Sequence, residues 1–298
     1  MHNKGITYDT GFISAGTTSR EPFDPGIVRR EMHIIHDDLH CNAVRITGGY
    51  PERLEIAAQY AADAGLAVWF CPFTNNLTDE ELLELLADCA ERAERLRQSG
   101  ADVVFFTGSE LSIMNIGLLP GNTLVDRMEV LATPERLRAL LPGIRARLNE
   151  LLGKAVEVVR TRFGGKLSYA SLIFEGVDWA HFDILSTDSG YRSADMAARF
   201  RDNIRAFVAQ GRALKKSVAI TEFGCGAFRG AADVAHRGAN MEWLGARPAR
   251  FKGEYKRDEG EQARYIDELL DIFKTEGSRQ FNFLSIISPC MALQDREF

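Results

Sequence analysis

The chain has 298 residues, 45% of them hydrophobic and 26% charged, with 26 glycines and 9 prolines, a balance that buries a sizeable core and excludes a disordered, collagenous or low-complexity chain. A formal net charge of −6 argues against a protein built to hold nucleic acid, which carries a basic excess. No run approaches the roughly 18 apolar residues of a membrane span.

Along the chain, short β-rich apolar runs alternate with long amphipathic segments, the pattern of βα units around a parallel sheet. Eight runs read as strands: Gly5 to Tyr8, Ala43 to Thr47, Ala67 to Phe70, Val103 to Thr107, Leu167 to Ser171, Phe182 to Thr187, Val218 to Thr221 and Phe281 to Ile287. Helices are predicted over about 26–38, 51–64, 78–98, 134–162, 193–213 and 258–276. In the third of these, Leu82, Leu85, Leu86, Cys89, Ala93 and Leu96 recur at helical spacing, and Thr78 with Glu81 opens it as a capping box. Pro51 and Pro134 stand near two helix openings, where the missing N–H costs nothing.

Count and order predict an α/β fold: a (β/α)8 TIM barrel forming a single domain over residues 1–298. Between the fifth and sixth strands, SLIFEGVDWAH is too short for a full outer helix, so that connection is expected to be shortened. Few residues follow the last strand, so the eighth helix is expected to be missing or vestigial. The segments at about 108–133 and 222–257 lack clear periodicity and follow the fourth and seventh strands. In a barrel both are long rim loops over the C-terminal mouth, where active sites sit.

Polar residues at strand ends then become candidates, because the barrel gathers every strand's C-terminal end around one opening. Glu110 follows the fourth strand in VVFFTGSE and Glu222 the seventh in SVAITEFG. Two acids facing one cavity suit cleavage of a glycosidic bond, where one carboxyl must be protonated and the other ionised; the plainer alternative is that one or both cap a helix or join a rim ion pair. Asp9 ends the first strand, Asn75 and Asn76 follow the third, Glu175 and Asp178 the fifth, and Asp188 ends the sixth. Asp9 and Asp188 either accept hydrogen bonds from a substrate's hydroxyls or amine, or cap the next element. The strand-seven loop carries Trp243, Phe251 and Tyr255 among arginines and lysines. It reads as a lid whose aromatics stack on substrate, or as a loop anchored by them.

Neither D-x-D nor H-x-H spacing appears, so no metal is expected. The absence of a P-loop or G-x-G-x-x-G leaves no cofactor expected. Five scattered cysteines without a C-x-x-C pair read as reduced thiols. The opening MHNKGITYDT lacks the apolar stretch of a secretory signal, so a cytoplasmic protein is expected, with a small-molecule substrate and neither nucleic acid nor membrane as partner.

The placement of Glu110 and Glu222 resembles the clan A glycoside hydrolases. That resemblance implies a retaining mechanism with Glu110 as acid/base and Glu222 as nucleophile. It also implies that Arg45, in VRITG at the end of the second strand, supports the nucleophile. Ser109 stands where the clan has an asparagine that reads the sugar, the eighth strand lacks the clan's tryptophan, and Tyr191 fills the clan's strand-six tyrosine if its loop folds back. With TYDTGF near the start and TEFGC at the seventh strand, the chain is also similar to actinobacterial proteins labelled abortive infection proteins.

The function expected is therefore a glycoside hydrolase-like enzyme with a retaining, two-carboxylate mechanism. Two alternatives stay open: acid/base chemistry on a non-sugar metabolite in the same pocket (cyclisation, isomerisation or elimination), and a non-catalytic barrel that binds a ligand or partner in phage defence.

Overall fold

The structure, a computed structural model, describes residues 4–235, 241–245, 247–251, 255–277 and 281–285. Eight parallel strands form the barrel: β1 Lys4–Asp9, β2 Ala43–Gly48, β3 Ala67–Pro72, β4 Val103–Ser109, β5 Lys166–Ser171, β6 Ile184–Thr187, β7 Ser217–Ile220 and β8 Phe281–Ser285. Each pairs with its neighbour in sequence, and β8 pairs with both β7 and β1, so the sheet closes on itself. The predicted (β/α)8 order is thus the observed one. Among the described residues, strand ends lie within two residues of the sequence reading, and the last two expected for the eighth strand, 286–287, lie outside them.

The alternation of side chains along each strand builds two cores. Outward residues such as Val44, Ile46, Val68, Phe70, Phe105, Leu185 and Ile220 pack under the helices. Inward, Ala43, Trp69, Cys71, Val104, Phe106, Ala170, Ile184 and Ala219 fill the barrel. Small residues on β5 and β7 leave room for Trp69 and Phe106, whose ring centroids lie 5.4 Å apart, and for the fully buried Arg45.

Nine helices are described: α1 Pro25–His33, α2 Pro51–Asp63, α3 Asp79–Gln98, α4 Leu111–Met114, α5 Leu124–Leu131, α6 Pro134–Arg160, α7 Ala197–Leu214, α8 Ala231–Val234 and α9 Glu259–Gly277. Asp24 caps α1 by accepting from the amides of Gly26 and Ile27, and Thr78 with Glu81 forms the capping box of α3. The stretch predicted as one helix over 26–38 is α1 followed by a π-helical turn, Ile34–Asp38.

Between β5 and β6 the chain makes one 3₁₀ turn, Trp179–His181. The segment 108–133, which lacks clear periodicity in sequence, carries α4 and α5, and a capping box of Thr123 with Asp126 starts α5. The loop after β7 contains α8 and an antiparallel ribbon of Met241–Leu244 with Arg247–Phe251. The expected eighth-helix region lies outside the described residues. No described helix is long and apolar enough to cross a membrane.

Candidate active site

Glu110 owes its position to an irregularity in β4. Phe106 pairs with Ser168 and Ser109 with Ala170, so three steps on β4 oppose two on β5. This bulge turns Ser109 toward the barrel interior, where strict alternation would have pointed it outward. Gly108 lies inside it at φ 129°, a conformation that costs a residue with a side chain far more. Glu110 follows in the left-handed region at φ 50° and begins α4.

Behind it, a buried network fixes the start of α4. The amide of Leu111 donates to the Tyr169 hydroxyl at 2.8 Å, and that hydroxyl donates to Glu175 at 3.0 Å. The amides of Ser112 (3.1 Å) and Leu172 (2.7 Å) donate to the two oxygens of Glu175. Glu175 is therefore corrected from a substrate-binding candidate to a buried brace: it is completely covered, and backbone amides occupy its oxygens.

Across the mouth, Arg45 on β2 organises four groups. Its Nη1 donates to Asp188 Oδ1 at 3.0 Å, to Glu222 Oε1 at 3.2 Å and to the Thr221 carbonyl at 3.3 Å. Its Nη2 reaches Asp188 Oδ2 at 3.4 Å and Cys71 Sγ at 3.5 Å. Tyr191 donates its hydroxyl to the other oxygen of Glu222 at 3.1 Å, so its loop does fold back. Gly190 lets that loop approach: its amide donates to the Glu222 carbonyl at 3.0 Å, and a Cβ there would stand 2.3 Å from the same oxygen.

Carboxylate oxygens of Glu110, Asp188 and Glu222 lie within 4.8 Å of one another. Burial, helped by the charges of Glu222, Asp188 and Glu175, holds the Glu110 carboxyl well above the ordinary range. Glu222 is pushed up to about 8 by burial and Asp188, against the opposing pull of Arg45 and Tyr191. Glu175 rises to about 7 through burial, despite the donors on its oxygens. For Arg45, burial works against the charge, but Asp188, Cys71 and Glu222 outweigh it and hold the guanidinium above its usual value.

The three clustered acids are the described residues able to hold a metal ion. Asp188 and Glu222 have oxygens already committed to Arg45, Ser109 and Tyr191. A cation there would compete with the guanidinium, so the donor set fits a protein counter-ion better than a metal.

The chain matches no family model and no curated protein. Solved structures do match. A GH113 β-1,4-mannanase is 14% identical over 95% of this chain and 86% of its own, with a TM-score of 0.59. The GH113 β-mannanase AaManA from Alicyclobacillus acidocaldarius is 16% identical over 94% and 85%, with a TM-score of 0.61. Cel5A of Thermotoga maritima, solved with mannotriose, is 14% identical over 95% and 89%, with a TM-score of 0.55. The shared feature is the barrel fold. None of these matches bears on the similarity to abortive infection proteins.

Other candidates fall elsewhere. Asp9 turns into its own loop, accepting from the Gly11 amide at 2.9 Å and from the Ser19 hydroxyl. Asn75 ties rim loops together: it donates to Ser14 Oγ at 3.2 Å and accepts from Arg127 at 3.0 Å. The side chain of Trp243 lies outside the described residues, as does that of Phe251. Sequence reasoning missed Arg127, which is fully buried on α5 and also holds Asn76 and the carbonyls of Ile113 and Gly121. Its signal was an arginine flanked at three residues by Leu124 and Val130, on the apolar face of a short helix.

Proposed function

We propose that the protein is a glycoside hydrolase that works with retention, Glu222 as nucleophile and Glu110 as acid/base. The observation that carries this reading is the asymmetry of two acids whose oxygens lie within 4.8 Å. Glu222 receives hydrogen bonds from Arg45 and Tyr191, whereas no described residue donates one to the carboxylate of Glu110. Oxygens this close are compatible with the separation of about 5–5.5 Å between the carboxyl groups of a retaining pair.

Two coupled acids in one pocket surrender their protons in separate steps. The donors on Glu222 favour its ionisation first, and Glu110, to which no described residue donates, keeps the remaining proton. Glu222 then attacks the anomeric carbon as the bond to the leaving oxygen breaks, and the Glu110 proton passes to that oxygen. In the second half, Glu110 takes a proton from water, whose oxygen attacks the same carbon and releases Glu222, restoring both groups.

The barrel shared with β-mannanases supports β-glycosides as first substrates, beginning with mannosides. The test is turnover of aryl β-glycosides by the wild type, Glu222→Gln and Glu110→Gln. Loss of activity in Glu222→Gln, with azide restoring Glu110→Gln as a β-glycosyl azide, is expected. An α-azide, or unimpaired Glu222→Gln, would overturn the reading.

A further inference from the structure

Two carboxylates suffice for the reaction above, yet a third lies against them. Asp188 directly follows β6 and is almost entirely buried. Both its oxygens face Arg45, and Oδ2 also accepts from Ser109 Oγ at 2.6 Å. Ser109 is available because the β4 bulge turns it inward. The hydroxyl at the position preceding the acid is thus spent on Asp188.

Arg45 is the one cation facing this cluster among the described residues. Its Nη1 carries two hydrogens but meets three acceptors, on Asp188, Glu222 and Thr221. What Asp188 takes, Glu222 loses. Among the described residues, the titratable groups facing Asp188 are Arg45 on β2, Cys71 on β3, Glu110 after β4, Tyr191 after β6 and Glu222 after β7, with Glu175 and Tyr169 lying behind Glu110 on the β5 side. Burial keeps the Cys71 thiol neutral, raised to about 11. Tyr169 and Glu175 bond each other. Three acids therefore share one guanidinium.

We propose that Asp188, fixed in place by Ser109, is a positioning residue that divides Arg45 with Glu222 and so keeps a proton on the Glu110–Glu222 pair to higher pH than an undivided Arg45 would allow. Its purpose rests on the hydrolase reading, since that proton is the one Glu110 gives to the leaving oxygen. The placement itself does not.

The test reads the carboxyls directly, by ¹³C NMR titration of protein labelled at glutamate, with signals assigned through Glu110→Gln and Glu222→Gln. Asp188→Asn removes the competing charge, so the titrations of Glu110 and Glu222 are expected to fall by about one unit or more. Ser109→Ala frees Asp188 to grip Arg45 more closely and is expected to move Glu222 the other way by a smaller amount. Titrations that coincide with the wild type, or that shift in one direction in both variants, overturn the proposal. Should Asp188→Asn not fold, Ser109→Ala decides alone: an upward shift supports it, and none or a downward one sinks it. Because no substrate is needed, a wild type that turns over no glycoside would remove the hydrolase reading and leave this one intact. Turnover with unmoved titrations would do the reverse.

Discussion

The two sides of the barrel mouth hold the same side chain by opposite means. On the β7 side, Glu222 is gripped at the carboxylate itself, one oxygen by Arg45 and the other by Tyr191. On the β4 side, the protein grips the backbone around Glu110, through Tyr169 and Glu175 behind α4, and leaves the carboxyl without a described donor. Chemically identical acids thereby meet different surroundings: donors aimed at an oxygen favour the charged form, and burial without donors favours the neutral one.

The sharpest way to break that contrast is to vary the leaving group. Glu110→Gln is expected to lower kcat by about 10²–10⁴-fold on a glycoside whose leaving oxygen needs protonation, and far less on one with a highly activated phenol. Glu222→Gln should fail on both. Steady-state rates over a series of aryl leaving groups check this, and equal sensitivity in the two variants would erase the distinction.

Next comes the shared cation. Arg45→Met leaves Asp188 buried without its charge partner, and breaking such a pair costs about 3–5 kcal/mol. Denaturant unfolding should show that loss, whereas the same substitution at Arg95, a largely exposed partner of Glu55, should change stability by about 1 kcal/mol or less.

A third test uses pH. The Glu175 carboxyl ordinarily titrates at 4.5 and is raised to about 7 in the folded chain. Between those values the folded state holds more protons than the unfolded one, so stability falls as pH rises through that window and levels off above it. The contribution is about 3 kcal/mol as an upper bound. Glu175→Gln should flatten the segment between pH 4.5 and 7 in unfolding experiments. A slope equal to that of the wild type would mean that Glu175 is not held protonated.

Much of this was legible in the chain. Strand and helix periodicity gave the barrel order, and because a barrel collects its strand ends, Glu110 and Glu222 could be singled out; Arg45 and Tyr191 came only from the resemblance to clan A, and the structure brings the four together. What sequence did not show has a common physical cause. The β4 bulge adds one residue to a ladder without changing the apolar pattern, so the inward turn of Ser109 left no trace. Glu175 looked like a rim acid because nothing local says which way the short β5–β6 connection folds; the Tyr169 hydroxyl behind α4 decides it. Arg127 was hidden because the helix that carries it has only two turns, too few for periodicity to stand out.

Gly190 was hidden for a related reason, and it offers the mildest test. Its amide bonds the Glu222 carbonyl, and an added Cβ would stand 2.4 Å from Ile220 Cγ2 and 2.9 Å from Phe223 Cβ as well. The nearest obstacle is backbone, so no rotamer change relieves it, and the chain carrying Tyr191 and Glu222 must move apart. Gly190→Ala is expected to cost about 1–3 kcal/mol of stability and to lower kcat by about tenfold or somewhat more, since small displacements of a reacting group are costly. The β4 side should not feel it: in a glutamate-labelled titration, Glu222 should shift while Glu175 stays where it was. If both move, the two sides of the mouth are one mechanical unit, and the contrast drawn between them lies only in their hydrogen bonds.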